Sequence, residues 1–141
     1  MSAAEALQPG AALRKAAAAD VPFILNSWLR SHYDAWAEPH GIPKGRYYAE
    51  THRSACLTLA RAECLLAVNP EDETHLLGYV VWEPGTLHYV YVKHPYRREG
   101  LASRLLEATG LQRGFHYTHH TEAGRALALR MGAHFNPGGL K

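Results

Sequence analysis

Cysteine is scarce in this sequence. The two residues, Cys56 and Cys64, have neither the spacing of a zinc site nor the density of a disulfide scaffold, and are expected as free thiols. Charge of one sign is scarce as well: 15 basic residues stand against 13 acidic ones, a net of +2, which is too slight for binding along a phosphate backbone. No apolar run approaches the ~20 residues that cross a bilayer. Met1 to Gly10 lacks the charged start and apolar run of a secretory leader. Internal repeats are absent, and low complexity is confined to the alanine-rich start. A soluble protein of a reducing cytoplasm, with no membrane partner, is the expectation.

What is present is globular material. Of the 141 residues, 47% are hydrophobic and 20% charged, enough for one domain over 1–141 to bury roughly 68% of its unfolded surface without covalent staples. Residues 1–11 read as a loose lead-in. Ten histidines are many for this length, and they could add positive charge below about pH 6.5.

The pattern then alternates. Ala12 to Ala16 is expected as an edge strand. Asp20 before Val21-Pro22 predicts an N-capped helix, which Ile24, Leu25, Trp28 and Leu29 carry at helical spacing to Tyr33. Prolines and glycines between Ala37 and Gly45 predict a loop, and a second helix runs from there to about Ala60. Glu63 to Val68 and Leu76 to Trp82 are strand-like, the latter with Leu77, Tyr79 and Val81 on one face and Val80 and Trp82 on the other. A turn at Glu83-Pro84-Gly85-Thr86 makes Leu87 to Lys93 an antiparallel neighbour. A helix from Gly100 to Gly110, a strand over Phe115 to Thr118, a helix from about Glu122 stopped by Gly132 and a short strand over Ala133 to Phe135 complete an α/β order.

The chemistry lies where the strand ending at Val92 feeds a basic loop and then a helix opened by Gly100. A helix N-terminus offers unpaired N–H groups and partial positive charge, a natural seat for phosphate. Gly100 and Ala102 let a pyrophosphate approach the backbone, and Arg97 and Arg98 add charge.

These residues carry a resemblance. Arg97-x-x-Gly100-x-Ala102, preceded by Val92-x-x-Pro95 and followed by Leu105-Leu106, resembles the R/Q-x-x-G-x-G/A motif of the GNAT acyltransferase superfamily. Leu13-Arg14-Lys15-Ala16 with Ala19-Asp20-Val21-Pro22 is similar to that family's first strand and helix. Phe23 to Leu29 looks like the matching stretch of small phage-encoded members.

The resemblance implies a mixed, mostly antiparallel sheet flanked by helices, with the C-terminal strand short or missing. It implies acetyl-CoA, or another acyl-CoA, held by Tyr91, Val92, Arg97, Arg98, Glu99, Gly100, Leu101, Ala102 and Ser103. The pantetheine arm would lie in a splay between the strand ending at Val92 and the one near Tyr117. A main-chain N–H near Val92 would act as an oxyanion-type donor, and an amine would attack directly.

The sequence also departs from the family. The Tyr that protonates the leaving thiolate in many relatives aligns with Ala128, and the usual Asn at the start of that helix with Thr121. Tyr117, His119 and His120 are substitute acids, and Glu83 and His88 candidate bases. His88 shares a strand face with Val90 and Val92, about 13 Å from the Val92 end at strand rise. His116, His119 and His120 lack an acidic or Cys companion at metal spacing, so no metal is expected.

Trp28, His32, Tyr33 and Trp36 cover the region where this fold takes its acceptor, with Arg30, Tyr47, Tyr48 and His52 nearby. Aromatic rings with basic neighbours would suit a flat acceptor such as a nucleobase. The acceptor is therefore a small molecule, a peptide amino group or a nucleobase amine. The alternatives are a non-catalytic GNAT-like phage structural or accessory protein, which Ala128 favours, and a nucleic-acid-modifying member, which the charge does not support. An oligomer is compatible with the sequence.

Overall fold

The computed structural model describes residues 11–97, 100–119 and 122–136. Six strands are present among them: β1 (Ala12–Lys15), β2 (Glu63–Asn69), β3 (Asp72–Glu83), β4 (Thr86–Val92), β5 (His116–Tyr117) and β6 (His134–Phe135). They form one sheet in chain order. The helices are α1 (Val21–His32), α2 (Lys44–Arg61), α3 (Leu101–Thr109) and α4 (Glu122–Met131).

The sheet carries helices on both faces. On one, Leu101, Leu105, Leu106 and Leu127 of α3 and α4 pack on Ala67, Leu77, Val80, Leu87, Val90 and Val92. On the other, Ile24, Trp28 and Ala55 of α1 and α2 pack on Leu66, Val68, Tyr79, Val81 and Tyr89. Both faces of the central strands are buried, which is why β3 and β4 read as nearly continuous apolar runs.

The pairing corrects the expected sheet. β1 to β4 are antiparallel, but β4–β5 and β5–β6 are parallel, so the sheet is mixed rather than mostly antiparallel. Each parallel strand is reached through a helical crossover, α3 and then α4, which returns the chain to the same end of the sheet. The C-terminal strand is present as the two residues of β6, paired directly with β5.

Four local expectations also change. Ala11 is not lead-in: it is 6% exposed within the core, and its carbonyl accepts a bond from Arg104 Nη2 at 3.0 Å. The rest of that segment lies outside the described residues. The Asp20 side chain does not cap α1. It accepts from Arg14 at 2.8 and 2.9 Å and from the Ala17 N–H at 2.7 Å, because an arginine fork satisfies a carboxylate better than one helical N–H does. The first helix does not stop at Tyr33 but runs on as a π-helical turn over Tyr33–Ala37, ahead of the expected loop. Leu77 belongs to the face of Val80, not of Tyr79, since β3 bulges there: Gly78 faces Ala67 and Leu76 faces Val68, leaving Leu77 as the extra residue that breaks the alternation.

Gly78 sits opposite Val92. A Cβ there would overlap the Tyr91 carbonyl oxygen, so glycine is what lets β3 and β4 stay paired to the end of β4.

Candidate functional site

β4 has unequal neighbours. Against β3 it is paired from Thr86 to Val92, while against β5 the register covers only Thr86 and Leu87. The last main-chain link is the Thr118 N–H to the Leu87 carbonyl, 3.0 Å. Beyond it the two strands fork. The Lys93 N–H bonds the Leu77 carbonyl on β3, so strand alternation turns the polar groups of Val90 and Val92 to the forked edge. There the Val92 carbonyl accepts from Arg97 Nε at 2.8 Å.

The fork opens a cleft of about 1010 Å³, lined by β4 from Tyr89 to Val92, by Arg97 and Gly100 to Ser103, and by Arg130 of α4. Gly100 takes a left-handed φ of 81° as the residue before α3, a conformation glycine adopts without the Cβ penalty. The first turn of α3 thereby aims its unpaired N–H groups and positive dipole end at the cleft. Arg130 Nη2 donates to Ser103 Oγ at 2.8 Å, tying α4 to that turn.

From the other face Ser31, Asp34 and Ala35 complete the lining. Ser31 Oγ and Tyr89 Oη are 2.6 Å apart. Asp34 lies on the π-helical turn, a feature that interrupts helices at functional sites. Arg97 is anchored at Val92, three residues and about 10 Å along β4 from the Tyr89 end at which Ser31 sits. The cleft is therefore basic toward α3, and its one carboxylate among the described lining residues, Asp34, lies toward α1.

At the base of the fork a chain of hydrogen bonds joins residues distant in sequence. Arg61 Nε donates to Glu83 Oε2 at 3.2 Å, and His88 Nε2 meets the same oxygen at 2.8 Å. His88 Nδ1 is 3.1 Å from Thr118 Oγ1, and Thr118 Oγ1 is 2.8 Å from His119 Nδ1. Burial, opposed by Glu83, holds the His88 imidazole below its ordinary pKa. Burial would raise the Glu83 carboxyl, but the His88 bond and the Arg61 charge outweigh it and hold it below its ordinary value. A bulge at His88 turns its ring into this chain while Leu87 stays in the core.

Of the predicted cofactor residues, Tyr91, Val92, Arg97, Gly100, Leu101, Ala102 and Ser103 all line the one cleft. Arg98 and Glu99 fall outside the described residues, as do His120 and Thr121. Of the catalytic candidates, Glu83, His88 and His119 join the hydrogen-bonded chain, whereas Tyr117 packs against Phe135, ring centroids 5.3 Å apart, beside the apolar core. Ala128 is buried at 6% exposure. Trp28 is fully buried and stacked on Tyr89 at 4.9 Å, so it packs in the core and offers no surface to a ligand. His32, itself buried, bonds Tyr47 Oη at 2.7 Å and stacks on the half-buried Trp36 at 5.4 Å. Tyr33 is half-buried beside Tyr47 at 5.4 Å, with the Lys44 ammonium 5.9 Å from its ring. No group of three or more metal-ligating side chains gathers among the described residues.

Sequence reasoning missed Thr118, Arg61, Ser31, Asp34 and Arg130. Ser31, Asp34 and Ala35 stand at i, i+3 and i+4 around the end of α1, a spacing that puts them on one helical face. Thr118 lies between two singled-out residues and carries no charge to draw attention.

Among known proteins, the family model described as Acetyltransferase (GNAT) family matches residues 23–131. The fold is similar to that of a GCN5-related N-acetyltransferase from Rhodopseudomonas palustris, with a TM-score of 0.61 at 15% identity over 85% of this chain and 79% of that one. It is also similar to apo-form YjaB from Escherichia coli, with a TM-score of 0.51 at 20% identity over 70% of this chain and 63% of that one. Both solved relatives are bacterial, so the resemblance of Phe23 to Leu29 to phage-encoded members finds no support in them. No curated protein sequence matches the chain significantly.

Proposed function

The chain belongs to the acetyltransferase (GNAT) family, and from that premise we propose that it is an acyl-CoA-dependent N-acyltransferase acting on a cationic primary amine. One observation carries the reading: the forked edge of β4 and the Gly100-opened turn of α3 line one cleft. The fit to acetyl-CoA is chemical. N–H groups at a helix N-terminus, with Arg97 and Arg130 beside them, match a pyrophosphate. The main-chain groups of Val90 and Val92 along the fork match the amides of a pantetheine arm. When bound, acetyl-CoA supplies an activated acyl group.

The chain's own residues do the rest. Arg97, Gly100 to Ser103 and Arg130 bind and orient. The Val92 N–H lies where it can polarise an acyl oxygen. Asp34 draws an ammonium to the α1 side of the cleft, which favours a cationic amine over the neutral amino group of a nucleobase. No helix among the described residues is long and apolar enough to cross a membrane. Cys56 and Cys64 are free thiols, which suits a reducing cytoplasm.

Calorimetric titration of acetyl-CoA tests this directly, with Ser103→Glu as the control. Glutamate in the first turn of α3 suits the helix dipole and leaves the fold intact, while its charge repels the pyrophosphate. Micromolar-range binding by the wild type, weakened about 100-fold or more by that substitution, is expected, since an added like charge and lost phosphate contacts cost several kcal/mol. Absence of binding to acetyl-CoA, to longer acyl-CoAs and to free CoA would overturn the enzyme reading and leave a non-catalytic member of the family.

A further inference from the structure

The α1 side of the cleft has lone pairs to offer and no side-chain hydrogen to give. Ser31 Oγ lies 2.6 Å from the Ser27 carbonyl, and a carbonyl only accepts, so the serine hydrogen is committed there. The Trp28 carbonyl, at 3.4 Å from the same hydroxyl, is the longer contact. Ser31 Oγ is also 2.6 Å from Tyr89 Oη. With the serine hydrogen spent, that contact is a bond only if the tyrosine donates. Both hydroxyl hydrogens are thus used inside the fold, and Ser31 Oγ keeps one lone pair.

Asp34 adds a carboxylate three residues on, about one helical turn from Ser31. It is exposed and lines the cleft, and it has neither an ion pair nor a hydrogen bond among the described residues. Ala35, beside it in the lining, brings no polar side chain. A wall that only accepts and carries negative charge matches a group that only donates and carries positive charge, as a protonated amine does. The opposite end of the cleft holds Arg97 and Arg130, which repel a cation, so charge sets which way such a ligand lies.

That ammonium is not the nitrogen that reacts. Attack needs a free electron pair on nitrogen, whereas a carboxylate in contact favours the protonated form. Its position is also wrong. The Val92 N–H, the donor suited to an acyl oxygen, is three residues and about 10 Å along β4 from Tyr89, and Tyr89 is where Ser31 stands. A chain of several carbons spans the two points.

We infer that the acceptor is a linear aliphatic diamine, or a longer chain with the same pair of ends: one nitrogen reacts at the fork while the other stays protonated on Asp34, with Ser31 Oγ as a further acceptor of its hydrogens. This rests on the acyltransferase reading of the same site. The second nitrogen forms no covalent bond and exchanges no proton, so it enters and leaves as an ammonium. Asp34 is then a specificity-determining residue, not a base. Acylation should also stop at one end, because the capped nitrogen is a neutral amide and a product that turned round would bring no charge to Asp34.

Linear diamines from propane to octane, each beside the monoamine of the same carbon chain, test this with acetyl-CoA as donor. Physiological salt screens long-range steering and leaves contact pairs. The best diamine is expected to show a kcat/KM about fivefold above its monoamine, the scale of one exposed ion pair, and to be acetylated once by mass spectrometry. Asp34→Asn should abolish the preference while leaving the monoamine and acetyl-CoA affinity within about twofold, and Asp34→Glu should restore part of it. Transfer from acetyl-CoA with equal kcat/KM for diamine and monoamine at every chain length, or a preference unchanged in Asp34→Asn, overturns the diamine alone. Failure of the wild type to bind acetyl-CoA by calorimetry overturns the acyltransferase reading, and the diamine acceptor with it.

Discussion

The α3 turn and the hydrogen-bonded chain from Glu83 to His119 border the same fork in β4–β5, and they are assembled in opposite ways. Arg97 and Gly100 to Ser103 lie within seven positions of one another, and what they offer the cleft is backbone N–H groups and a helix end. The hydrogen-bonded chain draws on α2, the β3–β4 hairpin and the end of β5, with Glu83 and Thr118 35 positions apart, and it consists of side chains held at hydrogen-bond distance. Anion binding is a local backbone property that one short motif can specify. A side-chain hydrogen-bond chain is a long-range property, and each link depends on where three elements are packed.

The comparison breaks most severely at Gly78, where both regions depend on one close approach. Gly78→Val would drive a side chain into the Tyr91 carbonyl. The expected loss is about 3 kcal/mol of stability, at the upper end for overpacking, read by urea denaturation, together with loss of acetyl-CoA binding. Retained binding would show that the β4 edge tolerates displacement.

Arg97→Ala separates the regions. It removes the bond to the Val92 carbonyl and a cation beside the α3 turn, so acetyl-CoA should bind about tenfold or more weakly by calorimetry, the scale of one charge-assisted contact. The His88 ring signals, set by Glu83 and Thr118, should not move, and a shift there would mean that the two regions are mechanically one.

Asp34→Asn probes the α1 side. The carboxylate is exposed, so the effect is modest and screened. Turnover of cationic amines at subsaturating concentration should fall about fivefold at low salt, and less at high salt. Neutral amines and acetyl-CoA affinity should be unaffected.

The smallest effect is a pH slope. His88 faces Glu83, Arg61 and Thr118, and burial first of all lowers its folded pKa. The unfolded chain therefore binds the proton more tightly. Its contribution to stability is complete above the ordinary imidazole value of about 6.5 and is lost as pH falls through the lowered folded value. His88→Gln should flatten the stability profile in that window, while the wild type declines. Equal slopes in the two proteins would mean that the ring is not held neutral.

Much of this molecule was written in the order of its residues. The strands and helices follow from periodicity, the turn at Glu83 to Thr86 from its proline and glycine, and the helix start at Gly100 from that glycine's own backbone freedom, because each depends on neighbours in the chain. Packing decided the rest. A bulge moved Leu77 to the other face, and Arg14 drew the Asp20 carboxylate away from the helix it precedes. The crossovers through α3 and α4 made the last two pairings parallel. Trp28 went beneath Tyr89 instead of facing an acceptor. Thr118 gained its partners only by falling between two histidine rings, since a hydroxyl carries no signal in the sequence until packing brings groups that can share its hydrogen.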